Sequence, residues 1–194
     1  MNSNQRIHQH FEEAAQVLER VRHDESLIQA IAQSGQRLID TLAGGGKIIS
    51  CGNGGSMSDA MHFAEELSGR YREDRPGLAA IACSDPSHIT CVGNDYGFDQ
   101  VFARELTGVA KAHDVFIPIS TSGTSLNILT AVEQAKLLGL APVALTGLGG
   151  GKLADLCECI RVPSNETARI QECHILIGHI ICGLVEHHYF KDTQ

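Results

Sequence analysis

After Gly46 the chain carries five short apolar runs, Lys47–Cys51, Leu78–Cys83, Val115–Ile119, Pro142–Leu145 and Glu158–Val162, separated by helical patterns or loops. The runs are nearly continuous in apolar residues and alternate only weakly, so both faces of the sheet they form are expected to be covered by helices. Strands buried on both faces belong to a parallel sheet. The predicted fold is therefore α/β, a three-layer sandwich with a five-stranded parallel sheet.

Before the first run come two helical patterns. Ile7, Phe11, Ala14, Leu18 and Val21 recur at steps of three and four over an otherwise polar segment. Leu27, Ile28, Ile31, Leu38 and Leu42 form the second stripe, which stops at Gly44-Gly45-Gly46, where glycine can take the left-handed geometry that ends a helix. The chain closes on Ala168–Phe190, a helical pattern with Ile170, Ile175, Ile177, Ile181 and Leu184, unbroken by proline and long enough to touch a neighbouring subunit. No repeat or proline-rich linker divides the 194 residues. One domain over 1–194 is expected, with an N-terminal helical extension over 1–43, an α/β core over 47–194 and a long C-terminal helix.

With 23 acidic against 15 basic residues the formal charge is -8. Nucleic acid is an unfavourable direct partner for such a surface, and any phosphate ligand must be held by local features against the net field. The seven cysteines (51, 83, 91, 157, 159, 173 and 182) lie mostly inside apolar runs without paired C-x-x-C spacing, as buried reduced thiols do. Met1–His10 is polar and lacks the signature of a signal peptide, and no apolar run approaches the roughly 20 residues of a membrane span. A soluble cytoplasmic protein with no membrane partner is expected.

Ligands of parallel α/β sheets bind outside the carboxyl ends of the strands. Two junctions there are unusually polar. Cys51-Gly52-Asn53-Gly54-Gly55-Ser56 follows a strand and opens a helix with Met57, Ala60, Met61, Ala64 and Leu67 on one side; its glycines admit a ligand to the backbone, and its free amides favour an anion or a hydroxyl-rich sugar. Ser120-Thr121-Ser122-Gly123-Thr124-Ser125 follows the third run and opens a helix reaching about Leu138. Its hydroxyls suit a phosphate monoester, or else they simply cap the helix. Neither a Walker lysine nor G-x-G-x-x-G is present, which disfavours a nucleotide.

His62 and Glu66 stand four apart on the helix after the glycine loop and project from one face, able to bind a metal or move protons; Glu65 beside them could be an ordinary solvated acid. Gln171, His174 and His179 share the last helix, Gln171 and His179 about 80° apart around its axis. Histidines on a long helix are more often satisfied by hydrogen bonds or water than by a ligand. Spacing alone cannot tell whether these residues meet.

The segments Ser50–Ser56, Asp59–Leu67, Val92–Asp95, Ile119–Gly123 and Ala168–Glu172 together resemble the phosphoheptose isomerase family, in order and across nearly the whole chain. The resemblance implies the SIS (sugar isomerase), flavodoxin-like fold and a homotetramer with active sites between subunits. It implies an aldose-ketose isomerase that turns sedoheptulose 7-phosphate into D-glycero-D-manno-heptose 7-phosphate, feeding heptose synthesis for lipopolysaccharide. It places substrate against Asn53, Gly54, Gly55, Glu66, Asn94, Asp95, Ser120, Thr121, Ser122, Ser125 and Gln171. Zinc would be held by His62, Glu66, Gln171 and His179, an N/O set that leaves room for substrate.

Two residues depart from the pattern. Thr124 stands where many relatives carry asparagine, and Ala168 where some place an aspartate. An enediol mechanism needs a base and an acid beside the two carbons; Glu66 is the candidate base and His179 the acid, with zinc polarising the carbonyl. Arg70 either stabilises oxygen charge or is an exposed arginine at a helix end. The competing expectation is a non-catalytic SIS module that binds a sugar phosphate or a protein, of the kind that associates with the bacterial replication initiator DnaA. Such a relative lacks counterparts of both Glu66 and His179.

Overall fold

The computed structural model describes residues 1–190; the last four positions of the expected 1–194 span lie outside the described residues. Its elements are α1 (Ser3–Arg22), α2 (Glu25–Ala43), β1 (Ile48–Gly52), α3 (Gly55–Ser68), β2 (Ala80–Ala82), α4 (Pro86–Asp95), α5 (Val101–Val109), β3 (Val115–Ser120), α6 (Leu126–Leu137), β4 (Val143–Thr146), α7 (Leu153–Leu156), β5 (Glu158–Arg161) and α8 (Thr167–Phe190). The five strands form one parallel sheet in the order β2-β1-β3-β4-β5.

The burial on both faces expected of all five runs holds for the strands in the middle of the sheet. β1, β3 and β4 are buried at every position. Their side chains split between two cores: Ile48, Val115, Ile117 and Val143 pack under α1, α2, α3 and α8, while Ile49, Phe116 and Ala144 pack under α5 and α6. That is the three-layer sandwich. The two edges are thinner than their runs suggest. β2 pairs only over Ala80–Ala82 and is half-buried, so half of Leu78–Cys83 is not strand. In β5 only Ile160 is buried, because an edge strand has a partner on one side alone.

Local chemistry sets the helix ends. Asn2 and Gln5 form a reciprocal capping box at α1, Asp24 accepts from the Leu27 amide at 3.1 Å, and Asp85 accepts from His88 N ahead of Pro86 at the first turn of α4. α2 ends at the glycine triplet, as its pattern requires.

α8 is long and apolar enough, by length and composition, to cross a membrane. Its apolar stripe instead packs on α2 and α3, with Ile170, Ile177, Ile181 and Val185 buried in the core. The α1 stripe behaves differently from the expectation. Val17 and Val21 are buried, but Ile7, Phe11 and Leu18 face outward, Phe11 at 73% exposure. All seven cysteines are free; Cys51, Cys83, Cys173 and Cys182 are buried, Cys157 and Cys159 are half-buried, and Cys91 on α4 is exposed, against the expectation of a buried thiol.

Candidate active site

The two polar junctions lie side by side, because β1 and β3 are neighbours in the sheet and their carboxyl ends point the same way. At the first, Gly54 is the N-cap of α3 with φ +55° and ψ -121°, a conformation closed to residues with a Cβ, and no side chain caps the helix. The Ser56 and Met57 amides bond back to the Asn53 and Gly54 carbonyls, which leaves the Gly54 and Gly55 amides to face a ligand. At the second, Ser125 is the N-cap of α6 but makes no side-chain capping bond; its hydroxyl lies 3.4 Å from the Ser120 hydroxyl instead. Ser122 Oγ accepts from Thr124 N at 3.3 Å. Capping thus accounts for little of this loop's hydroxyl content, and Ser122 remains exposed at its tip. A cleft of about 310 Å³ opens beside it, lined by Thr121, Ser122, Ser164, Asn165 and Thr167 among others.

The two loops are joined by a residue that spacing did not single out. Asn53 Nδ2 donates to Asn127 Oδ1 at 2.8 Å, and Asn127 Nδ2 donates back to Asn53 Oδ1 at 2.8 Å. Asn127 is 3% exposed. The one signal in the sequence that could have found it is an asparagine in the first turn of a helix, directly after the hydroxyl loop.

Further along α3 stand His62 and Glu66, and α8 brings His179 against them. His62 Nε2 lies 3.0 Å from Glu66 Oε1, and His179 Nε2 lies 3.5 Å from both that oxygen and His62 Nε2. These three donor atoms, from positions far apart in the chain, all fall within 4.8 Å of one another. Two imidazole nitrogens aimed at each other and at one carboxylate oxygen suit a shared cation better than a chain of hydrogen bonds, which would need a proton for each contact. The donor set fits zinc: two nitrogens and a carboxylate, with His62 45% exposed on its open side.

Gln171 lies two turns earlier on α8, at the level of the glycine loop, where its amide rests against Gly55 so closely that a Cβ at 55 would come within 2.5 Å of Nε2. Asn94 and Asp95 sit exposed at the end of α4, Asn94 Nδ2 donating to Asp95 Oδ1 at 2.8 Å. Among the described residues no hydrogen bond joins them to either loop. Glu65 and Arg70 are exposed, as the ordinary reading of both has it. His174 is buried, and its Nε2 meets the Thr146 carbonyl at 3.2 Å, away from the cluster. Burial pushes its pKa down to about 4, which keeps it neutral.

The SIS domain family matches residues 9–147, the span that holds the glycine and hydroxyl loops at the carboxyl edge of the parallel sheet, and the chain is a SIS-domain protein. A phosphoheptose isomerase of Vibrio cholerae is 52% identical over 182 residues, 93% of this chain and 95% of that protein; one from Escherichia coli is 49% identical over 187 residues, 95% and 97% of the two chains. The solved phosphoheptose isomerase of Francisella tularensis superposes with a TM-score of 0.92 at 40% identity, covering 96% of this chain and all of that one. The chain belongs to the phosphoheptose isomerase family.

Proposed function

We infer that this chain is the isomerase that interconverts sedoheptulose 7-phosphate and D-glycero-D-manno-heptose 7-phosphate, working in the cytoplasm as a homotetramer with one zinc per subunit. The observation that carries the reading is the meeting of His62, Glu66 and His179 from two helices, one of which, α3, opens at the glycine loop. A binding module has no need of a carboxylate and two imidazoles gathered this closely.

Substrate binding falls to the loops. The phosphate is held by the hydroxyls of Ser120, Thr121, Ser122 and Ser125 with the open amides of α6, a local anion site that outweighs the net charge of -8. Asn53, Gly54 and Gly55 hold sugar hydroxyls, with Asn53 oriented by Asn127. Both short contacts of Glu66 are made by Oε1, which leaves Oε2 to reach carbon. Glu66 takes the proton from C1 and returns it to C2 on the same face of a cis-enediol. His179, whose Nε2 faces the cluster, uses Nδ1 to give a proton to the C2 oxygen and to accept the one that leaves the C1 oxygen.

His62, Glu66 and His179, with Gln171 as fourth ligand, would hold zinc, which when bound supplies Lewis-acid polarisation of the carbonyl. Oligomerisation is supported by apolar side chains that the protomer leaves outside, Ile7, Phe11 and Leu18 on α1 and Leu176, Ile180 and Leu184 on α8. Asn94 and Asp95 then complete a site across a subunit boundary.

The test replaces Glu66 with Gln and His179 with Asn and follows conversion of sedoheptulose 7-phosphate, with hexose phosphates alongside and with or without added zinc. Loss of roughly 10²–10⁴ in kcat is expected for each variant. Turnover close to wild type in both would remove them from the mechanism, and equal rates on hexose phosphates would refute the substrate assignment.

A further inference from the structure

His62 and Glu66 belong to α3 and His179 to α8, so the three donors meet only while the two helices keep one axial register. The last carbonyls of α3 have no continuing helix to bond, and its last turn holds no basic residue. Arg75 folds back to fill that place. Its Nη2 donates to the Glu66 carbonyl at 2.6 Å, and Nη1 to the carbonyls of Leu67 at 2.7 Å, Pro76 at 3.1 Å and Gly69 at 3.2 Å. Its Nε donates to Glu186 Oε1 at 3.2 Å. The guanidinium therefore grips the backbone of Glu66 itself with one branch and α8 with another.

Glu186 completes the tie. It accepts the amides of Arg72 at 3.2 Å and Glu73 at 3.3 Å, fastening the segment between α3 and β2 onto α8. The two side chains are almost out of water, Arg75 at 2% and Glu186 at 8% exposure. Glu186 follows His179 by seven residues, about two turns, and so shares its face of α8. The same segment delivers Tyr71, whose ring stacks on the His179 imidazole with centroids 5.6 Å apart and planes 23° from parallel.

A buried ion pair is weak evidence for stability in itself, since its desolvation offsets its attraction. What an apolar pair of the same volume could not do is aim donors at the Glu66 carbonyl and acceptors at the segment carrying Tyr71. We propose that Arg75 and Glu186 are positioning residues of the active site, fixing α3 against α8 so that Glu66 and His62 meet His179, with Tyr71 holding the His179 ring in place. The proposal deepens the isomerase reading by naming what maintains its site.

The experiment uses the full-length protein and the variants Glu186→Gln, Arg75→Lys, Tyr71→Ala and Tyr71→Phe. Zinc affinity is measured with zinc alone against a chromophoric chelator. Roughly 10- to 100-fold weaker binding is expected for Glu186→Gln, Arg75→Lys and Tyr71→Ala, the range for groups that orient metal ligands, while Tyr71→Phe, which keeps the ring, binds as wild type does. A second readout needs no metal: in histidine-labelled protein the His62 and His179 ring protons, on rings with centroids 5.1 Å apart, give cross-relaxation in the wild type and lose it in the weakened variants.

Should the buried pair fail to tolerate substitution, Tyr71→Ala against Tyr71→Phe still decides. Wild-type zinc affinity together with intact ring cross-relaxation in Tyr71→Ala and in whichever pair variants fold would overturn the proposal. A wild type that holds its ring geometry but does not convert the heptose phosphate sinks the isomerase reading and leaves the positioning role standing.

Discussion

Replacing His174 with Gln separates one buried imidazole from every other acid-sensitive group in the chain. His174 is 1% exposed, its Nε2–H donates to the Thr146 carbonyl at 3.2 Å, and its Nδ1 finds no partner among the described residues. Burial lowers its pKa from 6.5 to about 4, against a smaller opposing effect of the Thr146 bond. Because the folded value lies below the unfolded one, the unfolded chain binds more protons between them. The stability is fully present above about pH 6.5 and is lost as pH falls toward and through 4.

A shift of about 2.5 units corresponds to ~3 kcal/mol in full, of which ~2 kcal/mol is gone by about pH 5. Glutamine reproduces the donor to Thr146 and does not titrate. Denaturant unfolding of both proteins at one concentration, near pH 7.5 and near pH 5, should show the wild type losing ~2 kcal/mol more than the variant. Carboxylates titrate alike in both and cancel. Parallel pH profiles would mean that His174 is not buried neutral, and the argument from burial would fail.

Gly123→Ala should cripple the hydroxyl loop, because a Cβ at φ +65° would lie 2.0 Å from the Gly150 carbonyl oxygen and neither backbone can yield; a loss above about 2 kcal/mol with a raised KM is expected in unfolding and steady-state assays, and a normal variant refutes the geometry. Asn127→Asp keeps the shape but cannot donate to Asn53, so KM should rise roughly tenfold, and an unchanged KM would detach Asn53 from the substrate. Lys47→Met tests the ion pair of Lys47 with Asp114, which stand just before β1 and β3. Burial raises the Asp114 pKa, but the Lys47 ammonium and the amides of Lys111 and Lys47 outweigh it and leave the carboxyl below its usual range; without the ammonium, unfolding should show a loss of about 2–3 kcal/mol, and a change under about 0.5 would show the ion pair idle.

The central strands, the glycine and hydroxyl loops and the long last helix were legible because each is a local pattern: apolar runs without alternation, glycines at a turn, hydroxyls at a helix start. One edge, β2, is shorter than its apolar run, for a physical reason. Leu78–Cys83 has a strand's composition, yet pairing needs a neighbour's free edge, and only Ala80–Ala82 finds one. The α1 stripe was readable as amphipathic, but nothing local says whether Ile7 and Phe11 turn toward their own core or away from it.

The site divides along the same line. His62 and Glu66 share a helix face by the period of the α-helix alone, and the sequence decides that much. Their meeting with His179 depends on the packing of α3 on α8, and so do the reach of Arg75 back to the Glu66 carbonyl and the pairing of Asn53 with Asn127 across 74 positions. Periodicity sets which way a side chain leaves its own helix; only the close packing of distant segments brings its partner within hydrogen-bonding range.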